Sequence, residues 1–132
     1  MGNSSQGKWS PCLLSALRII TGFLFVAHGA QKLLGFPAPM PNGTVQLFSL
    51  IGLAGVLELF GGFLVLVGLF TRPVSFVLSG FMAVAYFMAH APHGFWPTLN
   101  KGELAVLYCF VFLYLSAAGG GEWSADRLWR RR

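Results

Sequence analysis

Four long apolar runs constrain this chain more than any other feature of its sequence. They cover residues 13–35, 48–70, 74–91 and 103–118. A helix of about 17 to 25 apolar residues crosses the ~30 Å hydrocarbon layer of a bilayer. The runs also lack the two-residue alternation of barrel strands. The sequence therefore predicts an all-α integral membrane protein, a four-helix bundle in which residues 1–132 form a single transmembrane domain.

The composition and the segments between the runs agree with this prediction. Apolar residues make up 55% of the chain and charged residues only 10%, whereas soluble domains carry about 25% charged residues. Residues 35–43, 71–73 and 92–102 contain the Gly and Pro residues that interrupt or begin helices. We therefore expect helix ends at these three segments.

The distribution of Lys and Arg predicts the orientation in the membrane. With four spans, both termini and the loop at residues 71–73 lie on the same side. That side holds seven of the cations, which are Lys8, Arg18, Arg72, Arg127, Arg130, Arg131 and Arg132, and the other side holds only Lys32 and Lys101. The positive-inside rule therefore places the N- and C-termini in the cytoplasm.

Ionisable side chains within the apolar runs are the first candidates for function. They are Arg18, His28, Lys32, Glu58, His90 and Glu103. Each costs about 2.5 to 3.5 kcal/mol in a membrane helix on insertion scales, so such residues face the bundle interior and find partners. Their helical spacing puts Arg18, His28 and Lys32 on one face of the first helix, together with Gly22 and Gly29. Glu58 shares a stripe with Gly55 and Gly62 on the second helix, and we expect the two faces to pack closely.

Estimated depths suggest which of these residues meet. At ~1.5 Å per residue, Arg18 lies roughly 8 Å from the cytoplasmic side, Glu58 roughly 18 Å and His28 roughly 22 Å. We therefore expect Arg18 to hold Glu58 ionised, while Glu58 and His28 relay protons as the catalytic pair. Binding residues Arg18, Lys32, His90 and Glu103 would complete a polar pocket open to the outer side. The alternatives are that the Arg18–Glu58 pair only fixes helix register, and that Lys32 and Glu103 only extend to lipid headgroups.

Metal and disulfide chemistry are not expected. Cys12 and Cys109 fall at different heights in the membrane. Pro92 breaks the helix that would bring His90 and His93 onto one face, so we expect no metal site. The arginines near the C-terminus favour a lipid-headgroup anchor over nucleic-acid binding, and we expect no nucleic-acid partner.

The predicted pocket has the chemistry to bind a quinone. Quinone rings are apolar, and their carbonyl oxygens accept hydrogen bonds and protons, which matches a phenylalanine-rich pocket with one carboxylate and one imidazole. We expect no covalent cofactor, and electrons would come from a partner protein.

Several short patterns, in order along the chain, resemble the DoxX family of small four-helix membrane proteins. They are Arg18-x3-Gly22 with Gly29 and Lys32, Glu58-x2-Gly61-Gly62-x5-Gly68-x2-Thr71-Arg72, Glu103-Leu104-Ala105-x-Leu107-Tyr108, and Gly119-x-Gly121-x2-Ser124-x-Asp126. The resemblance spans residues 14–127 and implies a multi-pass protein of the bacterial inner membrane associated with redox complexes. It implies partners such as thiosulfate:quinone oxidoreductase, terminal quinol oxidase, or a sulfurtransferase with superoxide dismutase.

The leading hypothesis is thus a quinone-linked accessory subunit in the lipid bilayer, with redox-enzyme subunits as its partners. A non-enzymatic assembly or scaffold factor and a small transporter subunit stay open as alternatives. A homo-oligomer stays open as well.

Overall fold

The structure is a computed structural model that describes residues 5–132, with side chains from Gly7 onward. Six helical elements follow one another: α1 Ser5–Leu34, α2 Leu50–Val67, α3 Thr71–His93, α4 Pro97–Asn100, α5 Glu103–Ala118 and α6 Ala125–Arg130. Two of the helices contain a π-helical turn, at Leu57–Gly61 in α2 and at Tyr86–His90 in α3.

The all-α class and the four apolar helices are confirmed. Helices α1, α2 and α3 are long and apolar enough to cross a membrane. Helix α5 has 16 residues, about 24 Å of helix, which is at the short end for a span. Helix α1 begins eight residues before the predicted span, because its first turns lie ahead of the apolar run.

The described chain divides into two compact units. The first contains the chain up to Phe70 together with Gly120–Arg132, and the second contains Thr71–Gly119. Each unit has two of the four apolar helices, and each is described below by itself.

In the first unit, α1 and α2 pack antiparallel through glycines, as the two stripes predict. A Cβ atom on Gly22 would lie 2.7 Å from the Cα atom of Leu66, and one on Gly29 would lie 2.8 Å from the carbonyl oxygen of Gly55. Real Cβ atoms do not approach other atoms so closely. The glycines therefore allow the two backbones to come into direct contact.

Helix α2 ends at Gly68, which has the left-handed backbone conformation (φ 73°). Its N–H donates to the carbonyl of Val65, and the N–H of Leu69 donates to that of Leu64. This is the Schellman arrangement, which glycine adopts without steric cost.

The C-terminal segment of the first unit packs against the start of α1 and the end of α2. Ser15 Oγ accepts from the N–H of Trp123 at 3.0 Å. Asp126 accepts from the N–H of Phe70 at 2.7 Å, and its own N–H donates to the carbonyl of Gly68 at 2.9 Å. These hydrogen bonds hold the C-terminal segment against the start of α1 and the end of α2.

In the second unit, α3 packs antiparallel on α5. Ser79 Oγ donates to the carbonyl of Cys109 at 2.8 Å. At the end of the hairpin, Arg72 donates to the carbonyl of Ala117 at 2.8 Å, near the C-terminus of α5. A cation at that position also interacts favourably with the helix dipole.

Candidate functional site

A buried ion pair between α1 and α2 is the main polar feature of the first unit. Lys32 Nζ donates to both oxygens of Glu58, at 2.6 and 2.8 Å. Glu58 is 6% exposed, whereas the side chain of Lys32 is 22% exposed. Lys32 is therefore the more exposed member of the pair.

Local backbone structure creates the space for this pair. A Cβ atom on Gly55 would lie 3.3 Å from Cβ of Lys32, so the glycine leaves room for the lysine stem. Glu58 is the second residue of the π-helical turn in α2. Single π turns are rare in proteins, but those that occur are often found at functional sites. They also alter the direction of the side chains that they carry.

The predicted partnership of Arg18 with Glu58 is wrong. Arg18 is fully buried and donates to four backbone carbonyls, those of Val65, Leu66, Gly120 and Trp123, at 2.5 to 2.8 Å. Two of these carbonyls, those of Val65 and Leu66, belong to the last turn of α2, where the helical ladder of N–H donors ends. The Val65 carbonyl also accepts from the N–H of Gly68. Arg18 thus caps α2 and holds the C-terminal segment in place.

The antiparallel register explains the difference. Gly22 faces Leu66 and Gly29 faces Leu59, so Arg18 lies level with the last turn of α2. That turn is eight residues beyond Glu58, or ~12 Å along the helix. The depth estimated from the sequence placed Arg18 near enough to Glu58 to reach it. In the structure, the four described hydrogen bonds of Arg18 go to backbone carbonyls that lie nearer.

His28 is half-buried on α1. The contacts described for the Glu58 carboxylate are those with Lys32. The proton relay between Glu58 and His28 therefore stays a prediction.

His90 and Glu103 lie in the second unit. His90 closes the π-helical turn of α3, and its Nδ1 is 3.1 Å from the carbonyl oxygen of Asn100. Nδ1 carries the proton in this contact, since a carbonyl can only accept, and this leaves Nε2 as the acceptor in the neutral ring. Glu103 is exposed in the first turn of α5. A pocket that combines these residues with Lys32 and Glu58 stays a prediction.

Tyr86 and Asn100, which were not among the residues predicted from the sequence, organise the loop after α3. Asn100 is buried and donates from Nδ2 to the carbonyl of Gly94 at 2.7 Å and to the hydroxyl of Tyr86 at 3.1 Å. The Tyr86 hydroxyl donates in turn to the carbonyl of Phe95 at 2.7 Å. The sequence signal for this network was the polar amide of Asn100, which lies between two apolar runs.

Next to this network the second unit has an apolar cavity of about 370 Å³. Four of its ten lining residues are aromatic, and Cys109 contributes to it. The lining includes Met82, Tyr86, Phe87, Phe95, Cys109 and Phe110. The size is within the range of pockets that hold small organic molecules.

Comparison with known proteins assigns the chain to a family. The DoxX family model matches residues 13–91, more than half of the chain. The chain belongs to the DoxX family. This match covers most of α1, all of α2 and nearly all of α3, and therefore includes both residues of the Lys32–Glu58 pair.

Curated relatives of this DoxX protein share most of its length. An uncharacterized protein of Haemophilus influenzae is 42% identical over 90% of this chain and 92% of its own. The Bacillus subtilis protein named "Putative oxidoreductase CatD" is 33% identical over 78% of this chain and 76% of its own. The inner membrane protein YphA of Escherichia coli is 30% identical over 92% of this chain and 93% of its own. No solved structure matches.

Together with the apolar helices, these relatives establish a multi-pass protein of the inner membrane. The helices that carry the Lys32–Glu58 pair are therefore surrounded by the lipid bilayer.

Proposed function

We propose that this DoxX protein is a membrane subunit of a redox complex linked to quinone or quinol, and that the Lys32–Glu58 pair is its ligand- and proton-binding site. The observation that carries the proposal is a buried ion pair at a π-helical turn of a membrane span. Ionisable residues within spans are costly and commonly mark ligand or proton pathways.

The two side chains supply complementary chemistry. The Lys32 ammonium has three donors, of which some can turn toward a carbonyl oxygen of a bound ring while the ion pair persists. Glu58 can take up or release one of the two protons that accompany reduction or oxidation of a quinone. A quinone supplies the two-electron chemistry when bound, and a partner subunit supplies or receives the electrons. Approach to the pair is through Lys32, its more exposed member.

One relative supports the redox part of the proposal. The Bacillus subtilis protein at 33% identity carries the name "Putative oxidoreductase CatD". The resemblance of the sequence patterns to quinone-linked members of the DoxX family points in the same direction.

A non-enzymatic assembly factor is the second candidate, and the bonding of Arg18 favours it. All four described hydrogen bonds of this buried cation go to backbone carbonyls. Arg18 is thus a charged residue within a span whose described contacts are all structural. Its example supports the view that the other polar residues of the first unit also serve only to pack the helices.

Binding of a soluble quinone analogue separates the two candidates. The full chain in lipid nanodiscs is titrated with decylubiquinone, and quenching of tryptophan fluorescence reports binding. We expect saturable binding that weakens at least tenfold in Glu58→Gln and is unchanged in Glu122→Gln, a carboxylate that pairs with Arg127 near the C-terminus. Equal affinity in both variants, or no saturable binding by the unaltered chain, would contradict the proposal.

A further inference from the structure

The end of the first unit that holds both termini has an exposed basic and aromatic surface. We name the C-terminal patch as Leu128 and Trp129 with Arg130, Arg131 and Arg132. All five side chains are exposed, Leu128 at 68% and Trp129 at 65%. Phe70 contacts the ring of Trp129, with centroids 6.0 Å apart, and is itself half exposed. Apolar and cationic groups thus lie side by side.

The position of this patch relative to the spans is fixed by hydrogen bonds. Asp126 is bonded to the backbone of Gly68 and Phe70 at the end of α2. Ser124 Oγ caps α6 by accepting from the N–H of Arg127, and Arg18 binds the carbonyl of Trp123. The patch therefore stays at the end of a membrane helix.

The depth of the patch is that of the membrane interface. Trp9 on α1 and Trp123 beside α6 are also exposed at this end of the unit. Tryptophan side chains concentrate at the level of lipid headgroups, where the ring is buried and the N–H remains hydrated. The three terminal arginines therefore lie level with the phosphates.

Within the part of the chain that the structure describes, no ion pair involves Arg130, Arg131 or Arg132. The chain has only four acidic residues. Glu58 binds Lys32, Glu122 binds Arg127, and Asp126 binds the backbone N–H of Phe70. The fourth, Glu103, belongs to the second unit. Among the described residues, the carboxylates at this end are thus already engaged by other groups.

We infer that the C-terminal patch binds anionic phospholipid headgroups, with Leu128 and Trp129 inserted among the acyl chains. Arginine binds phosphate oxygens in a bidentate manner. Basic residues at the membrane surface are attracted to anionic lipids. A nucleic acid would satisfy the arginines but not the exposed Leu128, Trp129 and Phe70. A lipid satisfies both kinds of group.

Quenching by brominated lipids tests this inference. Variants that retain Trp129 as their only tryptophan are reconstituted in phosphatidylcholine vesicles containing one tenth brominated phosphatidylglycerol or one tenth brominated phosphatidylcholine. We expect quenching to show about fivefold or greater enrichment of the anionic lipid, falling as salt is raised.

Matched variants identify the groups responsible. The triple variant Arg130→Gln, Arg131→Gln, Arg132→Gln should lose the enrichment, while the corresponding triple Lys variant and Lys101→Gln should retain most of it. The inference is overturned by equal quenching with both lipids or by enrichment that survives the Gln triple variant. It is equally overturned if a DNA duplex displaces the brominated phosphatidylglycerol at physiological salt.

Discussion

At the scale of single residues, Arg18 and Glu58 show two ways in which a membrane span holds a charge. Arg18 donates to backbone carbonyls at the end of α2 and in the C-terminal segment. Glu58 uses one side chain, that of Lys32, which remains partly exposed. The first arrangement fixes the end of α2 to the C-terminal segment, and the second leaves one member of the ion pair partly exposed.

Replacement of Arg18 should destabilise the first unit strongly. Arg18→Lys retains the charge but loses the planar guanidinium that contacts four carbonyls, so we expect a loss of about 2 to 3 kcal/mol in the free energy of unfolding. Unfolding in mixed micelles of dodecylmaltoside and sodium dodecyl sulfate measures this. Arg72→Lys is the control, since Arg72 is exposed and its described bond is to a single carbonyl, and it should change stability by less than about 1 kcal/mol. Equal losses for the two variants would contradict the role assigned to Arg18.

Substitutions in the Lys32–Glu58 ion pair should affect the free energy of unfolding in a different way from substitutions of Arg18. Lys32→Met or Glu58→Leu alone leaves a buried charge without its partner, which costs about 3 to 5 kcal/mol. The double variant removes both charges and should recover most of that loss. A double-mutant cycle by the same unfolding measurement gives the coupling free energy. Additive effects of the two substitutions would show that Lys32 and Glu58 do not interact.

At the scale of elements, glycines determine how closely α1 and α2 approach. Gly22→Ala should separate the helices, because its Cβ atom would lie within 2.9 Å of the Gly62 carbonyl. We expect a loss of about 1 to 3 kcal/mol. Gly80→Ala on α3 is a matched control, since its Cβ atom would meet nothing within 4 Å, and it should be neutral or stabilising by up to about 1 kcal/mol. A smaller loss at Gly22 than at Gly80 would contradict the packing described for α1 and α2.

The sequence is sufficient to predict these elements because spans and close-packing stripes follow from composition and the 3.6-residue period. The four apolar helices and the contact between the Gly22–Gly29 and Gly55–Gly62 stripes were predicted correctly. The partner of Glu58 was not predicted correctly, because it depends on the register between the antiparallel helices α1 and α2. A change of two helical turns in that register is enough to make Lys32, rather than Arg18, the cation nearest to Glu58. Backbone acceptors, which bind Arg18, and the π turns at Glu58 and His90 leave no trace in side-chain patterns.

At the scale of the whole molecule, the charge of the first unit predicts its orientation in the membrane. Residues 35–49 lie at one end of its hairpin, and the C-terminal patch lies at the other. Six of the seven Lys and Arg residues of this unit, all except Lys32, favour the side of the termini. The cytoplasmic leaflet is thus the surface that the patch should contact.

Cysteine labelling checks this orientation. In a background of Cys12→Ser and Cys109→Ala, Asn42→Cys is expected to react with a membrane-impermeant maleimide in intact spheroplasts. Arg132→Cys should react only after lysis. Both positions are exposed, so accessibility depends on the side of the membrane. The reverse pattern of labelling would show that the termini are outside.

The central claim is that the Lys32–Glu58 pair serves ligand binding in addition to packing. The double variant Lys32→Met, Glu58→Leu is suited to test it, because it should fold with nearly the stability of the unaltered chain. The measurement is the quinone extracted per mole of protein after purification from native membranes. We expect near-stoichiometric quinone per mole of the unaltered protein and at least a tenfold lower content in the double variant. Equal quinone content in two equally stable proteins would contradict it.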